Sequence, residues 1–178
     1  MNKLLNKKNL KIGILGGTFD PPHFGHVEIC KIALKKLKLN NIFWVITNQN
    51  PLKVKPDLKL EKRKILCKKI LQKQKKIQIK KLNKKQSYLN TYNLVKTIKN
   101  KNMNSNFYFL MGADNLINLH KWKKWKKIPE IAKIVVFARP GFSLKALNSI
   151  AAKKLNKRDW IYINSSKFDI SSTKLKKI

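Results

Sequence analysis

The chain has 178 residues and a mass of 20.8 kDa, enough for one ordinary domain with a sizeable core and too little for two enzyme-sized ones. Its 43% hydrophobic content excludes a disordered tail, and no apolar run approaches the ~20 residues that a membrane-spanning helix needs. The charge is extreme: 42 Lys and Arg against 8 Asp and Glu give +34 and a pI near 10.4, which on its face suggests nucleic acid. Yet the 42 divide into 39 Lys and 3 Arg (Arg63, Arg139, Arg158), whereas base-reading surfaces favour the planar fork that only Arg supplies. Abundant Asn and Ile with scarce Gly match strong A/T codon bias, so composition leaves the partner open.

The basic start, Met1 to Lys11, precedes an apolar stretch, Ile12 to Leu15, far shorter than a secretory core, and the cytoplasm is the expected compartment. Cys30 and Cys67 lie far apart without Cys-x-x-Cys spacing and are expected to be small core hydrophobes. In chain order, Lys11 to Leu15, Ile42 to Thr47, Ile77 to Lys81, Phe107 to Met111, Ile134 to Ala138 and Trp160 to Ile163 read as strands. Helical spacing falls between them, over Gly25 to Leu37, Leu60 to Leu71 and Thr91 to Ile98. Lysine-rich stretches such as Lys73 to Lys85 read as solvated faces. The succession predicts an α/β chain: a doubly wound, mostly parallel, Rossmann-like sheet, forming a single domain over residues 1–178 with its core from about residue 10 onward. In such sheets ligands bind beyond the carboxyl ends of the strands.

The six glycines gather there. Gly13, Gly16, Gly17 and Gly25 crowd the first strand and its following turn, Gly112 follows the fourth strand, and Gly141 follows the fifth. Behind strand one the sequence Gly16-Gly17-Thr18-Phe19-Asp20-Pro21-Pro22-His23-Phe24-Gly25-His26 opens a helix, whose N-terminus favours an anion such as phosphate. It is neither the dinucleotide fingerprint nor a Walker loop. His23 and His26, three apart at the helix mouth, can address one phosphate. Two other readings stand beside this one. A metal site would need more ligands than one further His, two scattered Cys and eight unclustered carboxylates offer, and the pair could also simply pack a helix start.

The segment GGTFDPPHFGH resembles the signature of the nucleotidyltransferase superfamily with its H-x-G-H element, and the proline pair resembles the nicotinate-nucleotide adenylyltransferase branch. That resemblance implies that His23 and His26 hold the nucleoside triphosphate and stabilise its α-phosphate, with Gly16, Gly17, Thr18, Phe19 and Gly25 in the nucleotide site. Met111-Gly112-Ala113-Asp114 is similar to the family's G-A-D segment, implying that Gly112 approaches the adenosine and Asp114 its ribose. Trp122 and Trp125 match W-x-x-W, in which the first indole stacks on the nicotinate ring; for Trp125 the plainer reading is the apolar stripe of a short helix. Asn50-Pro51-Leu52-Lys53 resembles a basic loop over the substrate, and Arg139-Pro140-Gly141 a tripeptide after the fifth strand. Thr91 is the residue carried over from T-x-D-T, since Asn93 and Leu94 depart from that pattern. Ile170-Ser171-Ser172-Thr173 is similar to I-S-S-T-x-[IV]-R, which would put Ser172 and Thr173 on the β- and γ-phosphates, with Lys176 where the family has Arg.

The implied reaction joins ATP and nicotinate mononucleotide into nicotinate adenine dinucleotide and pyrophosphate, with Mg²⁺ carried mainly on the ATP phosphates and no dedicated protein metal site. The attacking phosphate is already an anion, so neither a general base nor a covalent intermediate is needed, in keeping with the lack of any Ser-His-Asp or Cys-His arrangement. Neither a membrane nor a specific nucleic acid is an expected partner, and a homo-oligomer is among the assemblies open to the chain. Two rivals make different demands. Another nucleotidyltransferase, such as a phosphopantetheine adenylyltransferase, would not need Trp122, and a basic nucleic-acid-binding protein would use Trp122 and Trp125 as a stacking platform.

Overall fold

Residues 10–17 read Leu-Lys-Ile-Gly-Ile-Leu-Gly-Gly, a near-continuous apolar run of the kind that a strand covered on both faces requires. In the computed structural model, which describes residues 9–49, 52, 54–83 and 90–164, they form β1 (Leu10–Gly17), buried from Ile12 to Leu15. On one side β1 pairs with β2 (Asn41–Ile46), and beyond it lies β3 (Ile77–Ile79). On the other side come β4 (Ser105–Gly112), β5 (Lys133–Phe137) and β6 (Trp160–Ile163). The order is β3-β2-β1-β4-β5-β6 and all five pairings are parallel, so the expected mostly parallel sheet is wholly parallel among the described residues.

The crossovers include α1 (Phe24–Lys36), α2 (Leu60–Leu71) and α3 (Thr91–Asn100), within two residues of the sequence reading at every end. Unpredicted pieces follow β4: α4 (Ala113–Asn118), α5 (Ser143–Leu147), α6 (Ile150–Lys154) and short 3-10 turns at Leu119–Lys121, Trp125–Lys127 and Lys157–Asp159. Helices of five or six residues are too short to display a period of 3.6.

Alternate side chains of each strand enter opposite layers. Ile12, Ile14, Phe107, Phe109, Met111, Ile134 and Val136 pack with Leu94, Val95 and Ile98 of α3, Leu116 of α4 and Ala151 of α6. Leu15, Ile42, Trp44, Leu110, Val135 and Phe137 pack on the other face with Val27 and Cys30 of α1 and Cys67 and Leu71 of α2. Both cysteines are free core residues, as expected, and burial pushes each thiol up to about 12. No helix among the described residues is long and apolar enough to cross a membrane.

This topology determines where a ligand can sit. From β1 the chain turns to β2 on one side, whereas β4 on the other side is reached only after β3 and α3. The carboxyl ends of β1 and β4 therefore border the crevice at the point where the strand order reverses.

Candidate active site

His23 is the N-cap of α1, with extended backbone (φ −144°, ψ 165°), and His26 sits three residues into the helix. The His23 N–H donates to His26 Nδ1 at 3.3 Å, and the His26 N–H donates to the His23 carbonyl at 3.0 Å. The His26 side chain thus takes the N–H of the cap residue, one half of a reciprocal cap, and the two rings lie at a centroid separation of 3.8 Å. Because His26 Nδ1 accepts, the proton of the neutral ring belongs on Nε2, which becomes a donor. His23 is 9% exposed, and its Nδ1 is buried without a hydrogen-bond partner among the described residues. Burial, and secondarily the nearby Arg139 charge, lowers its pKa from 6.5 to about 4, so at neutral pH the ring is uncharged.

Aromatic packing supports the pair. The Phe19 ring stacks on Trp44 of β2 (4.5 Å, 17°) and lies against His26 (4.9 Å), while Trp44 Nε1 donates to Cys30 Sγ at 3.1 Å. Phe19 is 2% exposed and has φ 50°, a left-handed conformation that costs a bulky residue about 1–3 kcal/mol and persists only where the surroundings hold it. The resemblance put Phe19 in the nucleotide site. Its ring is buried against Trp44 and His26. Gly16 is exposed at the end of β1, Gly17 and Thr18 are half-buried, and Gly25 is buried in the first turn of α1.

Across the crevice, Gly112 ends β4 and caps α4. A Cβ there would lie 2.5 Å from Asp114 Oδ1, so glycine is what lets the Asp114 carboxylate fold back over the turn. Arg139, just past β5, meets that carboxylate at 2.9 Å and lies over the Phe142 ring; the positive φ of Gly141 (78°) turns the chain between them. His23, Asp114 and Arg139 thus come together from three different strand ends.

Trp122 is half-buried and edge-on to Phe109 of β4 at 6.2 Å. Trp122 and Trp125 are not on one helix: left-handed Lys124 (φ 58°) separates the two 3-10 turns, and both indoles pack against the core. For Trp125 this agrees with the plainer reading, an apolar residue of a short helix packed on the core, although the two indoles do not share one helix. Lys124 Nζ lies over Tyr92 of α3, and α3, which Thr91 opens, packs against the turn at Trp125. The cap of α3 is Asn90, whose side chain accepts from the Asn93 N–H at 3.1 Å. Sequence reading missed it by looking one residue later, although Asn is a favoured N-cap.

A second omission is Arg63, buried at 2% exposure in the first turn of α2. It donates through Nε to the Leu58 carbonyl (3.0 Å), through Nη1 to Thr47 (2.8 Å) and Thr18, and through Nη2 to Asn48 (3.0 Å). Asp20, 5% exposed, accepts from the amides of Asp57 (2.9 Å) and Leu58 (3.0 Å), and its charge offsets part of the cost of burying Arg63. The available signal was rarity: an arginine in so lysine-rich a chain. Lys53, Ser172, Thr173 and Lys176 lie outside the described residues.

Comparison with known proteins gives the family. A cytidylyltransferase-like family model matches residues 14–178. A protein of Pelagibacter ubique named a probable nicotinate-nucleotide adenylyltransferase is 47% identical over 174 residues, covering 98% of this chain and 96% of that one. The chain belongs to the nicotinate-nucleotide adenylyltransferase family. A family member of Agrobacterium fabrum is 34% identical and covers 93% of this chain and 97% of its own. Among solved structures, the Plasmodium falciparum nicotinic acid mononucleotide adenylyltransferase complexed with NaAD superposes with a TM-score of 0.76 at 23% identity, over 95% of this chain and 83% of that one, and carries the likeness of fold.

Proposed function

We propose that the protein transfers the adenylyl group of ATP to nicotinate mononucleotide, giving nicotinate adenine dinucleotide and pyrophosphate. The observation that carries this reading is the His23–His26 pair at the head of α1, where the strand order reverses, with the buried His23 Nδ1 unpartnered among the described residues. Family membership supports the choice of substrates.

A phosphate oxygen of the mononucleotide attacks the α-phosphorus of ATP in line; one P–O bond forms, the bond to the bridging oxygen breaks, and pyrophosphate leaves with that electron pair. Catalysis reduces to positioning and to stabilising charge on the α-phosphoryl oxygens. His26 donates through Nε2. His23, neutral before ATP arrives, supplies a largely buried imidazole whose position is already set by the head of α1. Asp114, ion-paired with Arg139, is assigned to a ribose hydroxyl, and the half-buried Trp122 indole to stacking on a flat heterocycle. By motif alone, Ser172, Thr173 and Lys176 are assigned to the departing pyrophosphate and Lys53 to the mononucleotide.

The carboxylates here suit a cation carried on the triphosphate: both oxygens of Asp20 accept amide N–H groups, and Asp114 faces a guanidinium. Mg²⁺ bound that way neutralises phosphate charge. The cytoplasm, where both substrates are available, is the compartment we assign.

Competing nicotinate mononucleotide, nicotinamide mononucleotide and phosphopantetheine, each with ATP, while measuring pyrophosphate release tests the proposal. Preference for a pyridine mononucleotide supports it; preference for phosphopantetheine overturns it.

A further inference from the structure

Arg63 reaches three separate pieces of backbone. Thr18 lies in the loop that leads from β1 to His23, Thr47 and Asn48 follow β2, and Leu58 leads into α2; all four carbonyls accept from one guanidinium. The β1 loop is tied to the same segment twice more. The Thr47 N–H donates to the Gly17 carbonyl at 2.9 Å, and Asp20 takes the amides of Asp57 and Leu58. Residues 17–20 are therefore fixed from the β2–α2 side throughout, and Phe19, whose ring lies against His26, sits in the middle of them.

Two facts argue that this is more than packing. Burying a charge is a poor way to gain stability, since apolar replacements of buried ionic groups are often as stable or more so. And no lysine among the described residues is buried, although lysine outnumbers arginine 39 to 3. An arginine kept at the one place that needs several donors in a plane points to a geometric demand that an ammonium cannot meet.

We propose that Arg63 is a positioning residue for adenylyl transfer: by clamping the Thr18, Thr47, Asn48 and Leu58 carbonyls it sets Phe19, and through Phe19 the His26 imidazole, relative to the α-phosphorus. This rests on the adenylyltransferase reading of the site. Misplacement of a catalytic group by about 1 Å costs on the order of 100-fold in rate while leaving much of the binding intact.

Arg63→Lys keeps the charge, yet its single nitrogen has three hydrogens for four carbonyls. For this variant, kcat per folded molecule falls about tenfold or more while KM for ATP and for nicotinate mononucleotide stays within about threefold. The imidazole C–H resonances of His26 in the NMR spectrum move as well. A purely structural role would lower Tm and leave kcat per folded molecule within about twofold of wild type, and that result, or unmoved His26 resonances, overturns the proposal. Should Arg63→Lys fail to fold at the assay temperature, Asp20→Asn, which removes one acceptor from the same latch, carries the test with the same split expected and the same outcomes against it. A wild-type protein inert toward ATP and nicotinate mononucleotide would sink the functional reading instead; His26 resonances that move in Arg63→Lys would still support the clamp, and resonances that do not would end it.

Discussion

Replacing His23 with Ala separates stability from catalysis in a way that follows from its surroundings. The folded protein bears the cost of a buried ring nitrogen without a partner among the described residues, a cost of about 1–3 kcal/mol that Ala removes. Against that stands the loss of the ring contact with His26 at 3.8 Å, about 0.5–1.5 kcal/mol, together with some apolar burial. The two nearly cancel, so thermal denaturation should find His23→Ala within about 2 kcal/mol of wild type, in either direction. Catalysis has no such compensation. A preorganised donor at the transferring phosphoryl group is worth about 100- to 1,000-fold in kcat, roughly 3–4 kcal/mol. Steady-state pyrophosphate release from ATP and nicotinate mononucleotide should show that loss mostly in kcat. A kcat within about threefold of wild type would refute the role assigned to His23.

The same residue gives a pH signature. Its folded pKa of about 4 lies below the ordinary 6.5, so the unfolded chain takes up the proton first; the stability His23 contributes is complete above pH 6.5 and is lost as pH falls toward 4, by up to roughly 3 kcal/mol. Urea denaturation of wild type and His23→Asn between pH 4 and 7 should show a steeper fall for wild type, and parallel curves would contradict the lowered pKa. Gly112→Ala drives a methyl group against Asp114 Oδ1 at 2.5 Å, displacing the carboxylate from Arg139. KM for ATP should rise about tenfold with little change in Tm, because the obstructing atom is the end of a side chain rather than backbone. Trp122→Ala should raise KM for the mononucleotide by about three- to tenfold, the value of one stacking contact, and leave KM for ATP within twofold or so. An equal loss toward both substrates would assign Trp122 to the core alone.

Much of the fold was legible in the chain because a parallel sheet buried on both faces needs short, mostly apolar runs, and three stretches of helical period separate the first four of the six runs read as strands. The three long crossover helices showed their spacing for the same reason. The elements after β4 did not, being too short to express any period, and their positions depend on what they pack against. The site divides the same way. His23, His26, Gly112, Asp114 and Trp122 were conspicuous as rare residues at strand ends in a lysine-rich chain. Arg63 and Asn90 went unread despite the rarity of one and the capping preference of the other, since the backbone groups they bind are not spelled out in sequence.

The sequence by itself determined the order of strands and helices, the glycine-rich turn opening α1 and the pair of imidazoles three residues apart, because each depends on local spacing. It also reduced the +34 from a functional label to a background of exposed lysine. Only the tertiary structure decided that His23 is buried and neutral, that Asp114 is held by Arg139, that the Phe19 ring lies against His26, and that Arg63 ties the loop after β1 to the one after β2. These are relations between groups brought together by strand order, and burial, charge and hydrogen-bond satisfaction acquire values only once the neighbours are in place.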